Sequence, residues 1–186
     1  ADLPVLIKKL VAEVGDKYMK VEEPLRKEYL AEYALEAKLT DIRTALANFG
    51  VEYDCWFSER TLHDSGAIKE VLNTLDERGW LLAKDDAIWL DCERFGEEKP
   101  EVLVRANGIP TYFADIAYHQ NKYQRGFDTV IDIWGADHHG HVARMKGAME
   151  ALGYERDRLE VILMQFVRLY QGGELLKMSK RTGTYV

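Results

Sequence analysis

One stretch of the sequence decides the fold: Thr129-Val130-Ile131-Asp132-Ile133-Trp134-Gly135-Ala136-Asp137-His138-His139-Gly140-His141. The apolar run 129–134 predicts a strand, and the residues from about 136 to 152 predict a helix. Between them a glycine and a group of polar side chains follow the strand directly. This order is typical of the ligand-binding turn of an α/β protein.

Outward from this stretch, strands and helices continue to alternate. Strands are predicted at 102–105 and near 161–166, and a helix is predicted from about 111 to 124. Strands that alternate with helices of about 12 to 17 residues predict a parallel, doubly wound sheet. Ligands of such sheets bind at the carboxyl ends of the strands, and two polar clusters of this sequence follow predicted strands.

The first hundred residues have a different pattern. Apolar residues at helical spacing predict helices over 3–14, 25–49 and the stretch after Ser65-Gly66. An aromatic and β-branched run predicts a strand at 51–57, and two short strands at 80–83 and 87–90 are expected to pair across Lys84-Asp85-Asp86. We therefore divide the chain into a helical and α+β region, 1–101, and an α/β region, 102–186.

Composition restricts the function classes. The chain is 47% hydrophobic and 31% charged, which is ordinary for a soluble globular protein. Its formal net charge of −7 argues mildly against a dedicated nucleic-acid module, but it does not exclude contact with RNA through a local basic patch. A membrane span and a signal peptide are not expected, because no apolar run is long enough. Cys55 and Cys92 have no metal-ligand or disulfide spacing, so a reducing, cytoplasmic location is predicted.

Near the C-terminus stands the motif Lys177-Met178-Ser179-Lys180, followed by Arg181. Two ammonium groups three residues apart can hold adjacent phosphates and stabilise the charge that develops on a departing pyrophosphate. The motif predicts a phosphate-binding loop, and a solvated basic loop is the alternative. Gly172, Gly173 and Gly183 are candidate hinges for closure of this loop.

The cluster after the strand at 129–134 suits a nucleotide. Gly135 allows close approach to the backbone, Asp137 can accept hydrogen bonds from ribose hydroxyls, and His138 can donate to phosphate or base. Two alternatives remain open on the residues alone. Asp137 could cap the following helix, or Asp137, His138 and His139 could bind a divalent metal, as in a metal-dependent phosphoesterase.

A third cluster begins at Tyr112 and Asp115, in the predicted helix 111–124. A carboxylate can pair with both nitrogens of a guanidinium, and this bidentate contact favours arginine over lysine. The alternative is that Asp115 complements the helix dipole while Tyr112 is a half-buried core aromatic.

Together these segments resemble the bacterial-type arginyl-tRNA synthetases, a family of class I aminoacyl-tRNA synthetases. The resemblance rests on Leu103-Val104-Arg105, Gly108-Ile109-Pro110-Thr111-Tyr112-Phe113, Asp115-Ile116-Ala117-Tyr118-His119, Trp134-Gly135-Ala136-Asp137-His138-His139-Gly140 and Lys177-Met178-Ser179-Lys180-Arg181. Upstream, Phe49-Gly50-Val51-Glu52-Tyr53-Asp54 and Trp56-Phe57-Ser58-Glu59-Arg60 resemble the connective region within that family's catalytic domain.

The resemblance implies a fold and a set of roles. Region 102–186 would be the second half of a Rossmann-like catalytic domain, and region 1–101 the connective insertion. The family activates arginine with ATP, accompanied by Mg²⁺, and transfers it to tRNA(Arg), with no tightly bound metal. By resemblance, Lys177 and Lys180 act on the triphosphate, and Tyr112 and Asp115 bind arginine. The ATP site comprises Gly135, Asp137, His138, Met178, Ser179 and Lys180.

The sequence departs from the family pattern in two ways: some family segments are missing, and one spacing differs. The His-x-Gly-His signature does not occur before the connective region, and the anticodon-reading C-terminal domain is absent, so we expect an internal fragment that is inactive alone. A non-catalytic paralogue that binds tRNA or a partner chain is the alternative. The family's tyrosine and aspartate are four residues apart, whereas Tyr112 and Asp115 are three apart. This predicts either a later helix start or a remodelled arginine pocket.

Overall fold

The structure is a computed structural model that describes residues 3–165 and 167–176. The described residues divide into two compact units, one formed by 3–56 with 170–176 and the other by 57–165 with 167–169. Helices and sheets are both present, which confirms the predicted α/β class as a mixture of the two kinds of element.

The first unit is dominated by two helices, α1 (Leu3–Val14) and α2 (Glu23–Asn48), and both predicted helices are confirmed. A 3-10 turn, Lys17–Lys20, separates them. No side chain of α2 is buried, because its polar residues are distributed around the whole helix. Within the described ranges, no helix has the length and apolar character that crossing a membrane requires.

Two other segments of this unit test the sequence predictions. Residues 51–56 form no strand, so the strand predicted at 51–57 is wrong. Its aromatic side chains pack locally instead: the Tyr53 and Trp56 rings are 5.5 Å apart, and the Arg43 guanidinium lies 5.1 Å from the Trp56 ring centroid. The predicted turn at Gly172-Gly173 is confirmed, because it joins the paired strands Tyr170–Gln171 and Glu174–Leu175.

The second unit opens with two helices and an antiparallel sheet. The helices are α3 (Arg60–Asp64) and α4 (Ala67–Glu77), and the strands are β1 (Leu81–Lys84), β2 (Ala87–Leu90) and β3 (Glu101–Val104). β1 and β2 form the predicted hairpin. Its turn residues Asp85 and Asp86 have φ of 54° and 55°, as a two-residue primed turn requires.

β3 does not belong to a parallel sheet. It pairs antiparallel with β2, with Trp89 opposite Val102, so the expectation that the strand at 102–105 joins the parallel sheet is wrong. The reason is the connection. Residues 91–100, which include the 3-10 turn Cys92–Phe95, join β2 to β3, whereas parallel strands need a crossover of about a dozen residues or more.

The parallel part of the unit follows. Its elements are α5 (Phe113–Gln124), β4 (Val130–Gly135), the 3-10 helix Ala136–His141, α6 (Val142–Ala151) and β5 (Leu159–Met164). β4 and β5 pair in parallel from Val130 opposite Leu159 to Gly135 opposite Met164, and α6 lies in the crossover between them. The helix predicted from about 136 therefore begins as a 3-10 helix, and α6 proper starts six residues later.

The core of this unit lies between the helices and the inner faces of both sheets. Its fully buried large side chains are Leu62, Val71, Leu75, Leu90, Cys92, Leu103, Phe113, Ile116, Met145, Met149 and Leu159. Cys92 is a free thiol in this core, and Cys55 is a free, exposed thiol. The opposite face of β4 is uncovered: Ile131 is 57% exposed and Ile133 is 70% exposed.

Candidate functional site

A cleft of about 610 Å³ opens at the carboxyl end of β4. This is the end of a parallel strand at which α/β sheets bind their ligands. Its walls come from α5, the end of β4, the 3-10 helix Ala136–His141 and α6. The lining residues are Thr111, Tyr112, Asp115, Tyr118, His119, Lys122, Asp132, Ile133, Trp134, Gly135, His138, His141 and Met145.

Tyr112 is placed by a tight return of the chain after β3. The Thr111 amide donates to the Leu103 carbonyl oxygen over 2.9 Å, and the Thr111 hydroxyl donates to the Val102 carbonyl oxygen over 2.5 Å. These bonds fix the chain immediately before Tyr112, which is buried and donates a long, 3.5 Å hydrogen bond to the His141 carbonyl oxygen. Burial raises the pKa of the Tyr112 hydroxyl, so it is a neutral donor.

Asp115 lies in the first turn of α5 and lines the same cleft as Tyr112. Tyr112 is the N-cap, with φ −120° and ψ −3°, so it precedes the helical part. The helix therefore begins at Phe113, two residues after the predicted start near 111, and the choice between a later helix start and a remodelled arginine pocket stays a prediction. Desolvation raises the pKa of Asp115, and the nearby Glu59 carboxylate raises it further. Such a carboxylate gains from a cationic ligand.

The predicted nucleotide residues divide between the cleft and the surface. Gly135 and His138 line the cleft, whereas Asp137 does not. Asp137 and His138 approach each other to 3.7 Å, with side chains 55% and 59% exposed respectively. The interpretation of Asp137 as a helix cap is wrong, because His141 occupies the N-cap position of α6 and Asp137 lies inside the 3-10 helix.

The histidines of this loop raise two further questions: whether they form a metal site, and whether they form the His-x-Gly-His signature. Within residues 3–165 and 167–176, no group of three or more His, Cys, Asp or Glu is arranged to hold a metal ion. The sequence His138-His139-Gly140-His141 has the letters of the His-x-Gly-His signature. It follows β4, however, whereas the resemblance places that signature before the connective region.

The predicted phosphate-binding motif falls on residues that the structure does not describe. Lys177, Met178, Ser179, Lys180 and Arg181, together with the candidate hinge Gly183, lie outside the described residues. The other two candidate hinges, Gly172 and Gly173, form the hairpin turn, with φ of 60° and 86°.

Three cleft residues were missed by the sequence reasoning: His119, Lys122 and Asp132. His119 Nε2 hydrogen-bonds to Asp132 Oδ2, and Lys122 Nζ lies 2.6 Å from Asp132 Oδ1. Burial opposes ionisation of Asp132, but the hydrogen bonds from His119 and Lys122 hold its pKa below the usual range. The available signal was an aspartate within an apolar strand, because such a residue requires buried partners.

Comparison with known proteins gives a consistent likeness. The chain is 59% identical over all 186 residues to the arginine-tRNA ligase of Desulfitobacterium hafniense strain DSM 10664, and 60% identical over 186 residues to that of Moorella thermoacetica. In both cases it spans 33% of the relative's length, so the chain is about one third as long as these relatives. No family model matches the chain.

Solved structures agree with this likeness. A crystal structure assigned as an arginyl-tRNA synthetase from Campylobacter jejuni superposes with a TM-score of 0.82 at 38% identity, covering 93% of this chain and 38% of that one. The arginyl-tRNA synthetase of Plasmodium falciparum superposes with a TM-score of 0.65 at 18% identity, covering 86% of this chain and 28% of that one. At this lower identity the second likeness concerns the fold alone.

Proposed function

We propose that this chain is a segment of an arginyl-tRNA synthetase, the family whose resemblance is confirmed along the whole chain. In that role it supplies one side of the site where arginine reacts with ATP, before transfer of the arginyl group to tRNA(Arg). One observation carries the proposal: Tyr112 and Asp115, matched to the arginine site, line the same cleft as Gly135 and His138, matched to the nucleotide site.

Recognition of arginine is assigned to Tyr112 and Asp115. The Asp115 carboxylate would accept two hydrogen bonds from the guanidinium, a geometry that the single ammonium of lysine cannot reproduce. Partial desolvation strengthens such a contact, because the carboxylate is less well solvated by water before arginine arrives. The Tyr112 hydroxyl, whose proton is donated to the His141 carbonyl oxygen, adds an acceptor for the guanidinium at the same wall.

The nucleotide is assigned to the other wall of the cleft. Gly135 and His138 would contact ATP directly, whereas Asp137, which lies outside the cleft, would reach a ribose only from the surface side. Lys177, Met178, Ser179 and Lys180 are proposed to hold the triphosphate, and Mg²⁺ arrives with ATP as part of the substrate. Lys177 and Lys180 would stabilise the departing pyrophosphate.

The uncovered face of the parallel sheet supports a place within a larger catalytic domain. Parallel sheets are covered on both faces in folded proteins, yet Ile131 and Ile133 of β4 and Met164 of β5 are exposed. We infer that β4 and β5 belong to the second half of a Rossmann-like domain, preceded by a connective insertion. The division at 101/102, the inactivity of the chain alone and the cytoplasmic location stay predictions.

Titration of arginine and lysine into the isotope-labelled 186-residue chain tests the arginine assignment. We expect arginine to shift the NMR signals of cleft residues, lysine to bind at least about tenfold more weakly, and Asp115→Asn to remove the difference. Asp85→Asn is the matched control, because Asp85 lies in a turn that accepts asparagine. Lysine shifting the same signals as strongly as arginine would contradict the assignment.

Measurements of ATP binding test the nucleotide assignment. Lys180→Ala should weaken binding of ATP about tenfold by removing a charge-assisted phosphate contact, whereas Lys99→Ala, at an exposed loop, should leave it unchanged. Equal affinity in the two variants would count against the phosphate role. Arginine-dependent pyrophosphate exchange by the 186-residue chain alone would overturn its predicted inactivity.

A further inference from the structure

A buried charge network forms part of the wall of the cleft that carries Asp115. His119 of α5 is 4% exposed and Asp132 of β4 is 7% exposed. Lys122, one helical turn beyond His119, completes the network through its contact with Asp132. Charged groups in a protein interior are costly unless each is paired, so the three side chains form one unit.

The two ring nitrogens of His119 make different contacts. Nδ1 lies 2.6 Å from the backbone carbonyl oxygen of Asp115, and Nε2 contacts the Asp132 carboxylate. A carbonyl oxygen only accepts hydrogen bonds, and so does an ionised carboxylate. Both ring nitrogens must therefore donate, which makes His119 an imidazolium that bridges two acceptors.

This bridge connects two elements of the cleft. One end is the carbonyl oxygen of Asp115, in the first turn of α5, a helix without a side-chain cap at its N-cap residue. The other end is Asp132, in the middle of β4 and three residues before Gly135. The ring of His119 thus ties the backbone that presents Asp115 to the strand that ends at Gly135.

We propose that His119 is a positioning residue, which holds Asp115 at a fixed place relative to the carboxyl end of β4. Asp132 and Lys122 keep the ring oriented. Asp132 Oδ2 accepts the hydrogen bond from Nε2, and Lys122 donates a hydrogen bond to the other carboxylate oxygen, Oδ1. The consequence for arginine binding rests on the proposed function, because it requires that Asp115 contacts the substrate. The tether itself does not depend on that assignment.

The tether can be tested without any substitution. Long-range ¹H–¹⁵N spectra of the histidine rings report the protonation of each nitrogen, and the five histidines of the chain can be assigned separately. We expect a proton on each ring nitrogen of His119, because the Asp115 carbonyl oxygen and the ionised Asp132 carboxylate both accept hydrogen bonds from the ring. A neutral ring with an unprotonated Nδ1 would overturn the proposal, because such a nitrogen cannot donate to the Asp115 carbonyl.

Two substitutions separate the two contacts. His119→Gln keeps a donor near the position of Nε2 and loses the contact with the Asp115 carbonyl, and His119→Asn does the reverse. A residue that merely donated a hydrogen bond to Asp132 would be rescued by His119→Gln. A positioning residue would not, so we expect arginine affinity to fall about tenfold in both variants with ATP affinity unchanged.

The decisive variant is His119→Gln, and His63→Gln is its control, because His63 is an exposed histidine with a surface contact to Glu59. Unchanged arginine affinity in His119→Gln would overturn the proposal. If that variant fails to fold, the ring spectrum of the unsubstituted chain decides. If the unsubstituted chain binds no arginine, the proposed function fails, and the ring spectrum still judges the tether.

Discussion

The two sides of the cleft are built in opposite ways. The side formed by α5 and β4 is held by the buried contacts among His119, Lys122 and Asp132. The side formed by the 3-10 helix Ala136–His141 has no buried residue and no side-chain cap. A rigid wall therefore faces a wall of exposed and half-buried side chains across the same opening.

This difference has a physical meaning for binding. Selecting one amino acid requires donors and acceptors whose positions are fixed before the ligand arrives, because loosely held groups lose entropy on binding. A phosphate or ribose can be contacted by exposed side chains that adapt to it. Under the proposed function, the arginine residues Tyr112 and Asp115 belong to the rigid wall, and the nucleotide is contacted by Gly135 at the end of β4 and by His138 of the exposed wall.

The largest expected effect comes from breaking the rigid wall. Asp132→Ala leaves the His119 and Lys122 charges buried without their partner, and we expect the free energy of unfolding to fall by about 3–5 kcal/mol. Urea denaturation followed by circular dichroism measures the loss. The matched change on the exposed wall is Asp137→Ala, which should alter stability by less than about 0.5 kcal/mol. Similar losses in the two variants would remove the contrast between the walls.

A second pair of substitutions separates packing from charge. A Cβ at Gly147 of α6 would lie 2.4 Å from a carbon of the Phe95 ring, which stacks on Trp80, so Gly147→Ala must displace a packed aromatic side chain. We expect a loss of about 1–3 kcal/mol in thermal or urea unfolding.

Gly140 of the 3-10 helix is the control for this change. A Cβ there meets no atom within 4 Å, so Gly140→Ala should shift stability by less than about 1 kcal/mol. Comparable losses at Gly147 and Gly140 would show that the exposed wall is as tightly packed as α6.

The sequence predicted four residues that line the cleft, but it did not predict the buried contacts that hold the cleft wall in place. Tyr112, Asp115, Gly135 and His138 were found because their chemistry follows predicted strands and turns. His119 and Asp132 were not found, because their roles arise from a contact between α5 and β4 that periodicity cannot supply. Asp132 alone gave a hint, as a carboxylate within an apolar strand.

The errors in the fold have similar causes. β3 was given the wrong partner because strand direction depends on how the connection returns the chain to the sheet. The composition of the connection at 91–100 does not distinguish it from a crossover. The aromatic run at 51–57 has high strand propensity, yet a strand forms only where a neighbour accepts its hydrogen bonds. The hairpin of β1 and β2 was predicted correctly, because its turn and its partner are adjacent in the sequence.

Two aspartates within the rigid wall, Asp115 and Asp132, should differ in their pKa values. The folded chain lowers the pKa of Asp132 below its ordinary 3.8 and raises that of Asp115 above it. The contribution of Asp132 to stability is therefore complete above its unfolded pKa and is lost as pH falls through its folded pKa. That of Asp115 has the opposite sign: it is present below its unfolded pKa and is lost as pH rises through its folded pKa.

Carboxyl ¹³C NMR of the folded chain measures both values directly. We expect Asp132 to titrate below 3.8 and Asp115 above it, and added arginine to lower the Asp115 value while leaving Asp132 unmoved. Equal titration of the two groups would mean that the buried network does not hold Asp132 ionised.

The smallest effect on stability is expected at Tyr112. Its 3.5 Å hydrogen bond to the His141 carbonyl oxygen joins the two walls, but it is longer than an ordinary hydroxyl contact. Tyr112→Phe should therefore cost less than about 1 kcal/mol in urea unfolding. Arginine affinity should fall several-fold in the same variant if the hydroxyl contacts the substrate. A stability loss as large as that of Asp132→Ala would instead assign this hydrogen bond a part in holding the walls together.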